Sequence, residues 1–266
     1  MQICRYHLPG AGVRLGAIED EMVYDLTSTG REEFGSMSAL FHFSAKPGVN
    51  LLGMVKETLG ALSPVYAFAE LDVAPAPCRP HLLSPVDCQE VWAAGVTYLR
   101  SRAARSKESA APSVYDMLYD AERPELFLKA TPNRVVGTND YICIRSDAKS
   151  NSPEPELTLA LNPNLDLIGF TVGNDMGARD IEAENPMYLP QAKIFHHCCA
   201  LGPAITLAQT VETPNDLSIR CIVQRGQDTI FEGKISTSHL KRSFQELISF
   251  LARDNTFLNG AFLLTG

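Results

Sequence analysis

Ser152–Phe195 reads SPEPELTLALNPNLDLIGFTVGNDMGARDIEAENPMYLPQAKIF and gathers the densest polar chemistry of the chain. Two carboxylates, Glu154 and Glu156, stand one residue apart. In a strand, residues i and i+2 project to one side, so this E-x-E aims both at one point. Carboxylates that close repel unless a cation or a shared proton intervenes. Asp175 follows an apolar run and Gly173, at an expected strand end where a third oxygen donor can join. Three carboxylates plus water suit Mg²⁺, Mn²⁺ or Ca²⁺ better than zinc. A solvated acidic edge explains the bare E-x-E equally well. Arg179, Asp180, Glu182, Glu184 and Lys193 follow. Lys193 enters the apolar run AKIF, where desolvation lowers an amine's pKa and equips it as a base; the competing reading is a snorkelling surface lysine.

Outward from this stretch, Leu157–Leu161 and Leu165–Val172 flank Asn162-Pro163-Asn164 and read as a hairpin. Asp180–Glu184 spans one helical turn, stopped at Pro186. His196-His197 invites a metal reading, but neighbours in a strand face opposite ways, so the pair is expected to be structural. Cys198-Cys199 read as small buried hydrophobes. Downstream, strands are expected in ALGPAITLA and on both sides of the turn Arg225–Asp228. Ser243–Arg253 has helical spacing, with Phe244, Leu247, Ile248 and Leu251 on one face.

Upstream, EVWAAGV, LFLKATPNRVV and DYICIRS read as strands, and Lys129 in LFLKAT faces either a pocket or solvent. The basic run LRSRAARSKES suits an exposed helix, and SVYDMLYDAERPE a helix or lid. The first 75 residues show three short strand-like runs and helical spacing at Ser36–Phe43 and Leu51–Leu62. Pro75, Pro77, Pro80 and Pro85 punctuate Val73–Val86, which reads as a linker. The division is therefore a small N-terminal α/β domain with its linker over residues 1–80 and a larger, strand-rich unit over 81–266. Many strands and few long helices give a β-rich α+β class.

The bulk properties narrow the function. A net charge of −8 argues against a nucleic-acid partner that relies on phosphate neutralisation. No apolar run approaches the roughly 18–20 residues of a membrane helix, and MQICRYHLPGAG has no signal-peptide core. Seven scattered cysteines without a C-x-x-C pair read as reduced thiols in a cytoplasm, and no cysteine-type zinc site is expected.

AAGVTY (Ala93–Tyr98), LFLK (Leu126–Lys129), EPELTLAL (Glu154–Leu161), GNDMGARDIE (Gly173–Glu182) and YLPQAKIF with LGPAI (Tyr188–Ile205) resemble, in order, the fumarylacetoacetate hydrolase family. ENPMYLPQAK is most similar to the branch that dehydrates 2-keto-3-deoxy sugar acids. The resemblance implies a mixed β-roll catalytic domain behind a smaller N-terminal domain, and a homodimer. It implies Mg²⁺, or else Mn²⁺ or Ca²⁺, on Glu154, Glu156 and Asp175, and a 2-keto acid substrate held by Arg179 and Lys193. Lys129, Thr97, Tyr98 and Tyr188, inside the matching motifs, complete the expected substrate contacts. Two departures count against simple C–C hydrolysis. The segment TYLRSRAARSKES has no histidine where the family's hydrolases carry a water-activating one, and Glu182 stands where an amide is usual. Lys193 is then expected beside the proton removed from the substrate, and Glu182 beside the departing hydroxyl. The rivals are hydrolysis of an acylpyruvate and keto-acid binding without turnover. The family typically continues beyond Thr265-Gly266 with further strands, so the expectation is either a truncated end or the loss of those strands.

Overall fold

A computed structural model describes residues 1–99, 101 and 117–266. The expectation for the basic run falls almost wholly outside the described residues, as do residues 113–116 of SVYDMLYDAERPE; residues 117–120 of that stretch are helical, as expected. Five strands arise in the leading segment: β1 (Gln2–Leu8), β2 (Gly12–Glu19), β3 (Met22–Asp25), β4 (Tyr66–Ala67) and β5 (His81–Leu83). Helices α1 (Met37–Ser44), α2 (Leu51–Leu59) and the short α3 (Phe68–Leu71) complete it. Ser36 and Asn50 cap α1 and α2 by accepting from the backbone N–H of Ala39 and Gly53, which satisfies donors left open at a helix start.

The rest of the chain supplies β6 (Glu90–Gly95), β7 (Glu125–Ala130), β8 (Val135–Val136), β9 (Asn151–Ser152), β10 (Pro155–Leu161), β11 (Leu167–Asp175), β12 (Gly177–Ala178), β13 (Cys199–Leu207), β14 (Ser218–Arg225), β15 (Asp228–Ser236) and β16 (Ala261–Leu264). Helices α4 (Arg179–Glu184), α5 (Leu189–Lys193) and α6 (Phe244–Ala252) lie between them. The principal sheet runs β4-β3-β2-β1-β13-β11-β10-β16-β6-β7, with β5 on β1 and β8 on β13. Most pairings are antiparallel; β16 with β6 and β13 with β8 are parallel. The fold is therefore a sheet-dominated mixed α+β structure.

Alternation explains why β10 is buried along almost its whole length. Ala160 packs with Phe41, Leu201 and Phe262 in one core, whereas Leu159 and Leu161 pack under α6 with Leu247, Leu251 and Phe257 in another. A strand covered on both faces reads as a continuous apolar run. The first core also takes in Ile3, Leu15, Phe34 and Met37. The leading segment thus shares packing with the catalytic strands, and β1 joins the sheet through Gln2↔Thr206 and Ile3↔Ile205.

Two local readings are corrected. The proline-rich stretch is not wholly a linker: His81–Leu83 pairs with β1, and Leu82 is buried. Pro80 stands just ahead of that strand, where its missing N–H removes no ladder bond. DYICIRS forms no strand. It follows the connector before β13 and is tied to it by the Cys143 N–H, which donates to the carbonyl of His197 at 3.1 Å.

Candidate active site

Three strand ends and two short helices bring the polar groups together. Glu156 lies in β10 opposite Gly173 of β11, and Asp175 ends β11. Glu154 precedes β10; its carbonyl accepts from the Asp175 N–H at 2.9 Å, and its own N–H donates to the Asn174 side chain at 3.0 Å. These bonds lock the two carboxylate-bearing segments in register. One oxygen from each of Glu154, Glu156 and Asp175 lies within 4.8 Å of the others. Two glycines make room. A Cβ on Gly173 would collide with Thr158 Oγ1 and the Leu264 side chain, and one on Gly177 would stand 3.2 Å from both Glu154 Oε1 and Lys193 Nζ.

Lys193 is the last residue of α5 and is buried, not a snorkelling surface lysine. Its ammonium group donates to Glu154 Oε1 at 3.0 Å and to Asp175 Oδ2 at 2.9 Å. Lys129 is also fully buried; its Nζ lies 2.7 Å from Asp175 Oδ1 and donates to the carbonyls of Met176 and Lys193. The pocket-or-solvent alternative for Lys129 is thereby decided for the interior, where it braces Asp175 and the end of α5.

The electrostatics follow from burial. Burial pushes the Glu156 carboxyl well above the usual carboxylate range, and the charges of Asp175 and Glu154 push it further. Burial acts the same way on Asp175, but Lys193 and Lys129 outweigh it and hold that carboxyl below its ordinary value. Three carboxylates therefore face two ammonium groups, with Glu156 the least compensated. An all-oxygen donor set with residual repulsion fits a hard divalent cation, and Glu154, Glu156 and Asp175 are the residues that would hold it.

Glu182, in α4, lines the same small cavity of about 30 Å³ as Glu154, Glu156, Asp175 and Lys193. Arg179 opens that helix, with Nε 3.9 Å from Glu154 Oε1. Its neighbour Asp180 turns away and accepts from the backbone of Lys149 and Ser150, which anchors the helix start. Outside the small cavity a cleft of about 390 Å³ is lined by Tyr98, Arg179 and the hairpin residues Phe231 and Lys234. Burial, with the nearby Glu156 charge, pushes the Tyr98 hydroxyl up to about 12. Thr97 instead donates its hydroxyl to the carbonyl of Thr265 at 2.7 Å, and Tyr188 is not among the residues lining either cavity. Sequence reasoning missed the hairpin wall. Lys234, a cation in an otherwise strand-like FEGKIS, was its one visible signal.

Residues 90–266 match the family described as "Fumarylacetoacetate (FAA) hydrolase C-terminal". The chain belongs to the fumarylacetoacetate hydrolase family. Within it, the chain is 39% identical over 255 residues to the "Probable 2-keto-3-deoxyxylonate dehydratase" of Haloferax volcanii, covering 95% of this chain and 84% of that protein. It is 42% identical over 189 residues to the "2-dehydro-3-deoxy-D-arabinonate dehydratase" of Saccharolobus solfataricus, covering 70% of this chain and 63% of that protein. A solved family structure, "2-keto-3-deoxy-D-arabinonate dehydratase complexed with magnesium and 2,5-dioxopentanoate", superimposes with a TM-score of 0.81 at 33% identity, over 100% of this chain and 87% of that one.

Proposed function

We propose that this chain is a divalent-metal-dependent hydro-lyase that removes water from a 2-keto-3-deoxy sugar acid, with Mg²⁺ as its ion and Mn²⁺ or Ca²⁺ as substitutes. The observation that carries this reading is the burial of Glu182 in one cavity with the three carboxylates and Lys193. Likeness to dehydratases over most of the chain supports it. Glu154, Glu156 and Asp175 would hold the cation, which when bound supplies Lewis-acid charge that draws electron density from the 2-keto group. Lys193, as the neutral amine, accepts the proton leaving C3, and the ammonium so formed is held by Glu154 and Asp175. Glu182 delivers a proton to the hydroxyl leaving C4. The C3–H and C4–O bonds break, a C3=C4 bond forms, and the proton and hydroxide depart as water. Arg179, with Lys234 at the cleft wall, is suited to orient the substrate carboxylate, and Tyr98 caps the same cleft. Lys129 acts through Asp175, not on substrate. We assign Thr97 and Tyr188 supporting roles at the margin of the site.

We further propose that the protein works as a homodimer in the cytoplasm. Its seven cysteines are all free, and among the described residues no helix is long and apolar enough to cross a membrane. The deciding experiment incubates purified protein and Mg²⁺ with a panel of 2-keto-3-deoxy acids and acylpyruvates. Loss of water from the former, abolished by chelation, is expected. Release of pyruvate from an acylpyruvate, with the sugar acids untouched, would overturn the reading in favour of the hydrolase.

A further inference from the structure

Away from the carboxylates, the connector from α5 to β13 carries His196 and His197, and the extended segment beside it carries Cys143. The rule that adjacent side chains diverge applies to strands, and this connector is not one. His197 has φ of 48°, in the left-handed region. That kink swings the two imidazoles to one side, where they stack with ring centroids 3.9 Å apart and planes inclined by 22°. Non-glycine residues adopt this conformation rarely, and only where surrounding structure holds it. Here the hold comes from the adjoining segment: the Cys143 N–H donates to the His197 carbonyl at 3.1 Å, and Arg145 donates to the Gln191 carbonyl at 3.2 Å. The Cys143 sulfur and one nitrogen from each ring lie within 4.8 Å of one another.

We propose that Cys143, His196 and His197 form a second metal site, of the thiolate–imidazole class that takes Zn²⁺. In tetrahedral zinc the ligand distances place donor atoms about 3.3–3.6 Å apart. The donors lie within 4.8 Å of one another, and His196 is exposed, so binding would require its ring to turn and the three donors to close to that spacing. The donor set is soft where the acidic triad is hard, so the chain sorts its cations by chemistry: carboxylate oxygens for Mg²⁺, sulfur and nitrogen for Zn²⁺. Three protein ligands with His196 at the surface leave the fourth position to water. An ion here cross-links the Cys143 segment to the connector that begins directly after Lys193. The inference rests on this cluster alone and stands whether or not the dehydratase reading holds.

Cobalt tests it, because a thiolate–Co²⁺ bond gives strong near-ultraviolet charge-transfer absorption that carboxylate ligation does not. The full chain is titrated with Co²⁺ in excess Mg²⁺, which saturates the acidic triad. The expected result is a charge-transfer band that saturates at a single equivalent, is bleached by Zn²⁺, and is absent from Cys143→Ser. His196→Ala, a change at an exposed position with the fold checked by circular dichroism, should weaken Zn²⁺ binding by on the order of a hundredfold or more. No band in the wild-type chain, a band that persists in Cys143→Ser, or unchanged Zn²⁺ affinity in His196→Ala would each overturn the proposal.

Discussion

Lys193 shows what a single residue contributes and how far its sequence context could reveal it. The lysine stands in an apolar run, which is compatible with burial and with snorkelling alike. Only the fold brings Glu154 and Asp175 to its ammonium group. Lys193→Ala should lower dehydration by about 10²-fold or more, while Mn²⁺ binding followed by paramagnetic resonance does not weaken, because the three carboxylates remain. Near wild-type turnover would remove Lys193 from the mechanism. Glu182→Gln keeps the shape and removes the transferable proton, so kcat should fall with KM little changed; a raised KM with kcat unchanged would mean that Glu182 only binds. A third residue sets a pH limit. Burial pushes the Cys4 thiol from 9.0 up to about 12, with Asp25 adding to the rise. A folded-state value above the unfolded one means that the folded chain holds its proton longer. This contribution is intact below about pH 9 and is lost as the pH climbs towards 12. Urea midpoints should therefore fall across that window, and less steeply in Cys4→Ala; parallel curves for the two proteins would assign the alkaline loss to other groups.

Elements were legible where local chemistry dictates them. The β10–β11 hairpin follows from its turn residues and apolar runs, and α6 from its stripe of Phe244, Leu247, Ile248 and Leu251 beneath the Ser243 cap. What local chemistry cannot show is a partner far away in sequence. The pairing of β1 with β13 joins residues about two hundred positions apart. The β14–β15 hairpin was readable as strands but not as a wall of the cleft. The convergence of histidines 196 and 197 depends on a backbone angle that no residue type there announces. Strand β12 illustrates how tightly the elements meet. Alanine at Gly177 would press its methyl group on Glu154 and Lys193 together. Both are side-chain ends that can yield by a few tenths of an ångström, so the protein should fold. The lysine would nonetheless leave its position between the carboxylates, and turnover should drop about tenfold. Unaltered kcat in Gly177→Ala would show that the ammonium position tolerates displacement.

At the scale of the whole molecule, the boundary near residue 80 remains a proposal about a lobe: the leading segment has its own helices but shares a sheet and a core with the catalytic strands. The β14–β15 hairpin bears on assembly. Ile222, Ile230 and Phe231 of the β14–β15 hairpin are each 43–52% exposed, and the hairpin forms a sheet of its own, separate from the principal one. Scattered apolar residues on a surface need no explanation, and Phe231 faces the cleft, but Ile222 and Ile230 together on an outlying ribbon are apolar surface of the kind that protein interfaces cover. A second copy is the proposed cover, since the family resemblance implies a dimer. A stable homodimer typically buries at least about 1,200 Å² in total, so the hairpin would form only part of the contact. Light scattering should give twice the mass of the chain. Ile222→Asp with Ile230→Asp places charge on the ribbon without touching the carboxylates or Lys193, and should shift the particle towards monomer. Because Phe231 and Lys234 of the same hairpin line the cleft, dissociation should also raise KM for the keto acid by loosening that wall. A wild-type protein that scatters as a monomer would end the dimer proposal, and a double variant that stays dimeric would move the interface elsewhere.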